Sequence, residues 1–176
     1  GIGQGPVGWT PVQAAKAYAT LARRGSESHP TLLSTAMDRA PHPPQDWSFD
    51  PKGAALALEG LQLAANDPAG TAHHLSMLDR EPIFNLEAEN VTIYAKSGTA
   101  DTGYTWVDEN GNGQRDREEV KQRGDHAWTV CLVQKPSSPR PDYVIVVVVE
   151  YGGSGAAVAG PIANQILRAM QSEGYL

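Results

Sequence analysis

The chain has 176 residues, 40% of them hydrophobic, enough to bury the core of one ordinary domain or of a piece of a larger one. Its 14 lysines and arginines against 20 acids leave a net charge of −6, which argues against a nucleic-acid surface, since such surfaces are basic. A single cysteine excludes an intramolecular disulfide and a clustered thiolate metal site, and the longest apolar run, residues 144–149, falls far short of the ~20 residues a membrane span needs.

The chain opens on Gly1-Ile2-Gly3-Gln4-Gly5 with neither a methionine nor a signal peptide, and this start reads as a cut inside a larger protein. Three helical stretches precede the first strand. Thr10, Pro11 and Gln13 form a capping box with proline in the first turn. Ala14, Ala17, Tyr18 and Leu21 follow at helical spacing, and Arg23-Arg24-Gly25 ends the helix. Pro41-His42-Pro43-Pro44 marks a loop. Asp50-Pro51 opens a second helix carrying Leu56, Ala57, Leu58, Leu61 and Ala64, stopped by Asn66-Asp67-Pro68. A short third helix is expected over residues 71–78. Its adjacent His73 and His74 cannot face one ligand site together on a helix, so they read as a surface pair.

The pattern then changes to strands, expected over residues 91–96, 127–133 and 143–150. The third is almost all valine and isoleucine, which predicts cover on both faces and a central place in its sheet. Cys131 reads as a small core residue of the second strand. His126 and Trp128 flank Ala127 on one face, and packing explains them. A final helix is expected over residues 157–172, with Ile162, Ile166 and Met170 as its apolar stripe and Gly174 beyond its end. The fold class is α/β of the α+β type, an antiparallel sheet of three strands flanked by helices on the N-terminal and C-terminal sides.

At the end of the first strand stands Tyr94-Ala95-Lys96-Ser97-Gly98-Thr99-Ala100. Lys-Ser-Gly-Thr alone reads equally as an exposed strand end with a solvated lysine. It also matches the third signature of penicillin-binding proteins and β-lactamases, and the flanks agree. Gly1–Gly5, Thr10-Pro11-Val12-Gln13 and Ala17-Tyr18-Ala19-Thr20-Leu21 are similar to the segment before that strand in class B penicillin-binding proteins. Glu150-Tyr151-Gly152-Gly153-Ser154-Gly155 and Val158-Ala159-Gly160-Pro161-Ile162-Ala163 resemble their last strand and C-terminal helix. The whole of residues 1–176 therefore resembles the C-terminal portion of a transpeptidase domain, apart from an insertion between Thr102 and Gly124.

The resemblance implies a serine D,D-transpeptidase acting on peptidoglycan stem peptides and acylated by β-lactams, with no catalytic cofactor. It sets the parent protein on the outer face of the cytoplasmic membrane, in the cell envelope, held by an N-terminal anchor absent here. Lys96 would supply a positive field for the substrate carboxylate, and Ser97 and Thr99 hydroxyl donors. Gly98 would let the substrate lie flat on the strand, and the Thr99 amide would be half of an oxyanion hole, typically worth ~3 kcal/mol. No serine here is followed three residues on by lysine, or two residues on by asparagine. The family's nucleophile and second motif are thus missing, so the chain alone is expected not to acylate. The sheet would also be incomplete, its last strand an apolar edge covered by the missing N-terminal half, an exchanged segment or a symmetry-related strand. A β-lactamase or β-lactam sensor is the alternative within the family, and a non-catalytic calcium-binding interaction module the alternative outside it.

The insertion, residues 104–124, reads as a hairpin whose tip fits the calcium-loop pattern D-x-[DN]-x-[DN]-G-x5-E. Asp108, Asn110, Asn112, the Gln114 carbonyl, Asp116 and Glu119 would offer oxygens, with Gly113 at the sharp turn. Arg115 stands where paired loops carry an apolar residue, and residues 104–107 look extended, so this would be a lone loop holding a structural Ca2+. An acidic, glycine-rich tip with no ion is the other reading. Trp106 suits either a substrate groove or a hairpin anchor.

Overall fold

The helices form where the caps place them. In the computed structural model, which describes residues 8–27, 29–31, 45–73, 82–84, 91–117, 119 and 121–176, α1 spans Pro11–Ala22. Thr10 and Gln13 exchange reciprocal bonds: Thr10 N–H donates to Gln13 Oε1 at 2.7 Å and Gln13 N–H to Thr10 Oγ1 at 3.3 Å. Gly25, at φ 103°, turns the chain out of the helix while its N–H returns to the Thr20 carbonyl. α2 spans Pro51–Asn66, its first turn held by Asp50 Oδ2 accepting the Gly53 N–H at 2.8 Å. Of the expected third helix only residues 71–73 are described, and they form a turn. The loop at residues 41–44, the segment 1–5 and His74 lie outside the described residues.

Three antiparallel strands, β1 (Thr92–Trp106), β2 (Lys121–Gln134) and β3 (Tyr143–Val149), form one sheet in the order β1-β2-β3. The first two run well past their expected ends, joined as a long hairpin with an irregularity between Asp101 and Tyr104. Pairing carries β1 through Gly98, and β1 continues past the irregularity that holds Gly103. β3 is not central among the described residues: there it is an edge. Its two faces are nonetheless covered, by α1 on one side and by the C-terminal helix on the other.

That helix begins as a π-helical turn, Gly155–Ala159, and continues as α3, Gly160–Ser172. The main core lies between the sheet and the α2/α3 side, where Ile93, Ala95, Ala127, Cys131, Val133, Ile145 and Val147 meet Ala65, Ala159, Ala163 and Leu167. Burial pushes the Cys131 thiol well up from its ordinary range, as befits an inert core residue. Val130 and Leu132 are buried on the opposite face, against which α1 lies.

The buried helix stripes differ from the expected ones. In α3 the buried side chains are Ala163, Asn164 and Leu167, whereas Ile162 and Ile166 are 38% and 39% exposed. In α2 the buried residues are Ala54 and Ala65, and Leu56 is 67% exposed. Ala17 of α1 is exposed, and Ala14, Thr20 and Ala22 turn inward. Alanine lets the helices sit close to the sheet, so the small residues take the contact and larger apolar ones are left outside.

Candidate active site

Lys96, Ser97, Gly98 and Thr99 lie midway along β1, opposite Val130, Thr129, Trp128 and Ala127 of β2. Strand alternation sends Lys96 and Gly98 to one face and Ser97 and Thr99 to the other. What the four share is therefore an edge. β1 is the end strand of its sheet, and among the described residues no strand pairs with its outer side. Lys96 and Thr99 are exposed, and Ser97 and Gly98 half-buried. Lys96 Nζ donates to the Ser97 carbonyl at 2.6 Å, which holds the ammonium along its own strand.

The strand is braced from the α3 side by the π-helical turn. Thr129, almost fully buried, donates its hydroxyl to the Gly155 carbonyl at 2.9 Å, and the Gly155 N–H donates to Thr99 Oγ1 at 3.4 Å. Gly155 packs so tightly that a Cβ there would overlap the Gly98 and Trp128 backbones. On the opposite face a Cβ on Gly98 would stand 3.2 Å from the Trp128 Cβ. Ser154 caps the turn, accepting the Ala157 N–H at 3.3 Å. Thr129 was not a sequence candidate, and nothing in its local pattern marks it. The Gly152–Gly155 run was the one signal that backbone comes close here.

His126 accepts the Tyr151 N–H on Nδ1 at 3.0 Å, with the rings edge-on at 5.0 Å between centroids. A neutral His126 then carries its proton on Nε2. This contact secures the turn after β3, where Tyr151 sits at φ 53°, and agrees with a packing role. Trp106, the last residue of β1, carries the Arg115 guanidinium over its ring at 3.7 Å.

The calcium-loop residues sit at the hairpin tip, beyond Trp106. Ten residues of strand separate Trp106 from Lys96, roughly 30 Å at the usual rise, so the two sets form separate places. Asp108 caps the loop by accepting the Asn112 and Gly113 N–H groups at 3.1 and 2.8 Å. Among the described residues no three His, Cys, Asp or Glu side chains converge as metal ligands. Oxygens for a cation would have to include the amides of Asn110 and Asn112.

Comparison with known proteins gives this antiparallel sheet, with helices on both faces and a Lys-Ser-Gly-Thr strand at its open edge, a family. The family model described as penicillin binding protein transpeptidase domain matches residues 1–168. The chain belongs to that family. It is 32% identical over 174 residues to the peptidoglycan D,D-transpeptidase MrdA of Escherichia coli K12, covering 95% of this chain and 25% of the relative. Against the Haemophilus influenzae MrdA the identity is 28%, covering 95% and 24%. The chain thus spans about a quarter of the length of these curated relatives. A crystal structure of a protein assigned as a peptidoglycan glycosyltransferase from Atopobium parvulum shares the fold, with TM-score 0.53 and 17% identity over 92% of this chain and 33% of that one.

Proposed function

We propose that this chain supplies one wall of a serine D,D-transpeptidase site, in a protein that cross-links peptidoglycan stem peptides and is acylated by β-lactams. The observation that carries the reading is the Lys96–Thr99 strand on the unpaired edge of β1, in a chain of this family. An extended peptide adds to that edge by strand pairing. Lys96 attracts its terminal carboxylate, the Ser97 and Thr99 hydroxyls orient it, and Gly98 keeps the approach clear. The Thr99 amide contributes to the oxyanion hole. The nucleophile comes from residues outside these 176, because no Ser-x-x-Lys occurs among them. An N-terminal portion of the same domain pairs along β3. The complete protein works on the outer face of the cytoplasmic membrane; among the described residues no helix is long and apolar enough to cross a membrane.

Fluorescent penicillin tests this directly. The 176-residue chain should take no covalent label, and a polypeptide extended upstream to include a Ser-x-x-Lys segment should take it. In the extended protein Lys96→Ala should slow acylation by about 10²-fold, the scale of losing one electrostatic contact to the transition state. Labelling of the short chain would overturn the assignment of the nucleophile. An extended protein that is folded but unlabelled would overturn the transpeptidase reading, and rapid hydrolysis of nitrocefin would make it a β-lactamase.

A further inference from the structure

The hairpin tip carries a buried carboxylate oxygen that no described residue satisfies. Glu119 is 7% exposed, and its Oε1 is buried with no hydrogen-bond partner among the described residues. Its Oε2 accepts the Asp116 N–H at 3.0 Å, so the carboxylate is turned into the loop rather than out to water. A buried carboxylate oxygen with neither donor nor cation is costly, and folds retain one where something else completes it. The surrounding atoms say what that is. Asp116 Oδ2 draws the side-chain amides of Asn110 and Asn112 to 2.8 and 2.7 Å. Gly111 and Gly113, at φ 70° and 71°, fold the chain tightly enough to gather them. The amides' own oxygens accept the Asn112 and Gln114 N–H groups at 3.0 and 2.6 Å, and each keeps a second lone pair to offer a cation. The resulting set of carboxylates, amides and one main-chain carbonyl is all oxygen, which suits a hard cation and not zinc. Its irregular geometry favours calcium over magnesium, which demands a near-ideal octahedron.

Arg115 does not compete for the centre of the loop. Its guanidinium lies over the Trp106 ring. It thereby fills the position at which paired loops meet one another, and this accounts for a cation where such loops carry an apolar residue.

We propose that residues 108–119 bind one Ca2+ ion through Asp108, Asn110, Asn112, the Gln114 carbonyl, Asp116 and Glu119. The ion clips Asp108, just past the end of β1, to Glu119, just before the start of β2. The long hairpin that bears Lys96–Thr99 is thus closed at its far end. This inference does not rest on the transpeptidase reading, because it is scored by the metal alone.

Calorimetric titration of CaCl2 into chelator-treated protein should give saturable one-to-one heat, with Kd about 0.1–1 mM, the range of extracellular calcium modules. MgCl2 should give none. Glu119→Gln and Asp108→Asn should each weaken calcium at least tenfold while keeping the circular dichroism of the parent. Should either variant fail to fold, the exposed Asn110→Ala provides the same reading. Tb3+ in place of calcium should luminesce on excitation of Trp106 and lose that emission in Trp106→Phe. Absence of heat at about 10 mM calcium, well above the affinity of such modules, or unchanged affinity in both Glu119→Gln and Asn110→Ala, would overturn the proposal.

Discussion

The contact between Gly155 and the Lys96–Thr99 strand predicts an unusually costly alanine. In Gly155→Ala the new methyl would overlap the Gly98 carbonyl, the Trp128 carbonyl and the Gly98 nitrogen, all backbone atoms that no rotamer change can move aside. The π-helical turn must lift away from β1 and β2. Overpacking of this kind costs about 1–3 kcal/mol. Lifting the turn also breaks the Thr129–Gly155 bond and strands a buried hydroxyl, a further ~1–3 kcal/mol. Together these make about 2–6 kcal/mol, a large part of the ~5–15 kcal/mol that ordinarily holds a domain folded. Urea unfolding followed by circular dichroism measures it. Thr129→Val separates the two terms, since it removes the hydroxyl without adding bulk and should cost about 1 kcal/mol. Gly60→Ala is the opposite control: it sits in mid-α2 with nothing within 4 Å of its new methyl, and should stabilise by about 0.5–1 kcal/mol. A Gly155→Ala loss below about 1 kcal/mol, the level of an average substitution, would show that the turn does not brace the strand.

Leu167→Ala should cost about 2–5 kcal/mol by opening a cavity beneath the sheet, and Ile166→Ala, one residue earlier and exposed, under about 1 kcal/mol; equal losses would return the α3 stripe to the face first expected. The hydrogen bond from Lys16, then that from Trp47, holds the Glu27 carboxyl below its ordinary 4.5. The unfolded chain therefore takes up this proton first, and the stability that Glu27 gives above its ordinary value is lost as pH falls through the lower folded value. Glu27→Gln should flatten the acid limb of a Tm-against-pH curve below pH 4.5, and an unchanged limb would refute the linkage. The open edge of β3 should make the isolated chain self-associate reversibly in sedimentation runs, and Val144→Lys should weaken that association; a monomer at every concentration would refute it.

The helix boundaries were legible because they rest on local chemistry: Thr10 with Gln13, and Asp50 before Pro51. The buried faces were not. Leu56, Ile162 and Ile166 satisfy a helical period as well as Ala54, Ala163 and Leu167 do, and periodicity cannot tell which apolar side meets the sheet when close approach favours alanine. The apolar run in β3 foretold cover on both faces, but cover on the faces carries no information about neighbours along the edge. β1 runs longer than its pattern suggests because Gly98 and Asp101 have poor strand propensity, which pairing with β2 overrides. In the candidate site the Lys96–Thr99 motif stood in the sequence, while its brace did not. Thr129 lies 26 residues from Gly155 and belongs to no motif.

The two edges of the sheet are built differently, and the difference bears on what each is for. Along β1 the outer edge carries a charge at Lys96, another at Asp101 and an irregularity before Tyr104. Natural sheets use charges and irregularities of this kind to stop indiscriminate strand addition. The same lysine would attract a strand that ends in a carboxylate, so one feature both repels generic partners and selects a particular one. Along β3 there is neither charge nor irregularity across its seven residues, Tyr143–Val149. An unguarded edge suits a permanent neighbour, because a strand that never leaves needs no selection. On the transpeptidase reading β3 would face the body of the domain and β1 its ligand, with the Gly155 contact holding the ligand-facing strand at a fixed distance from that body.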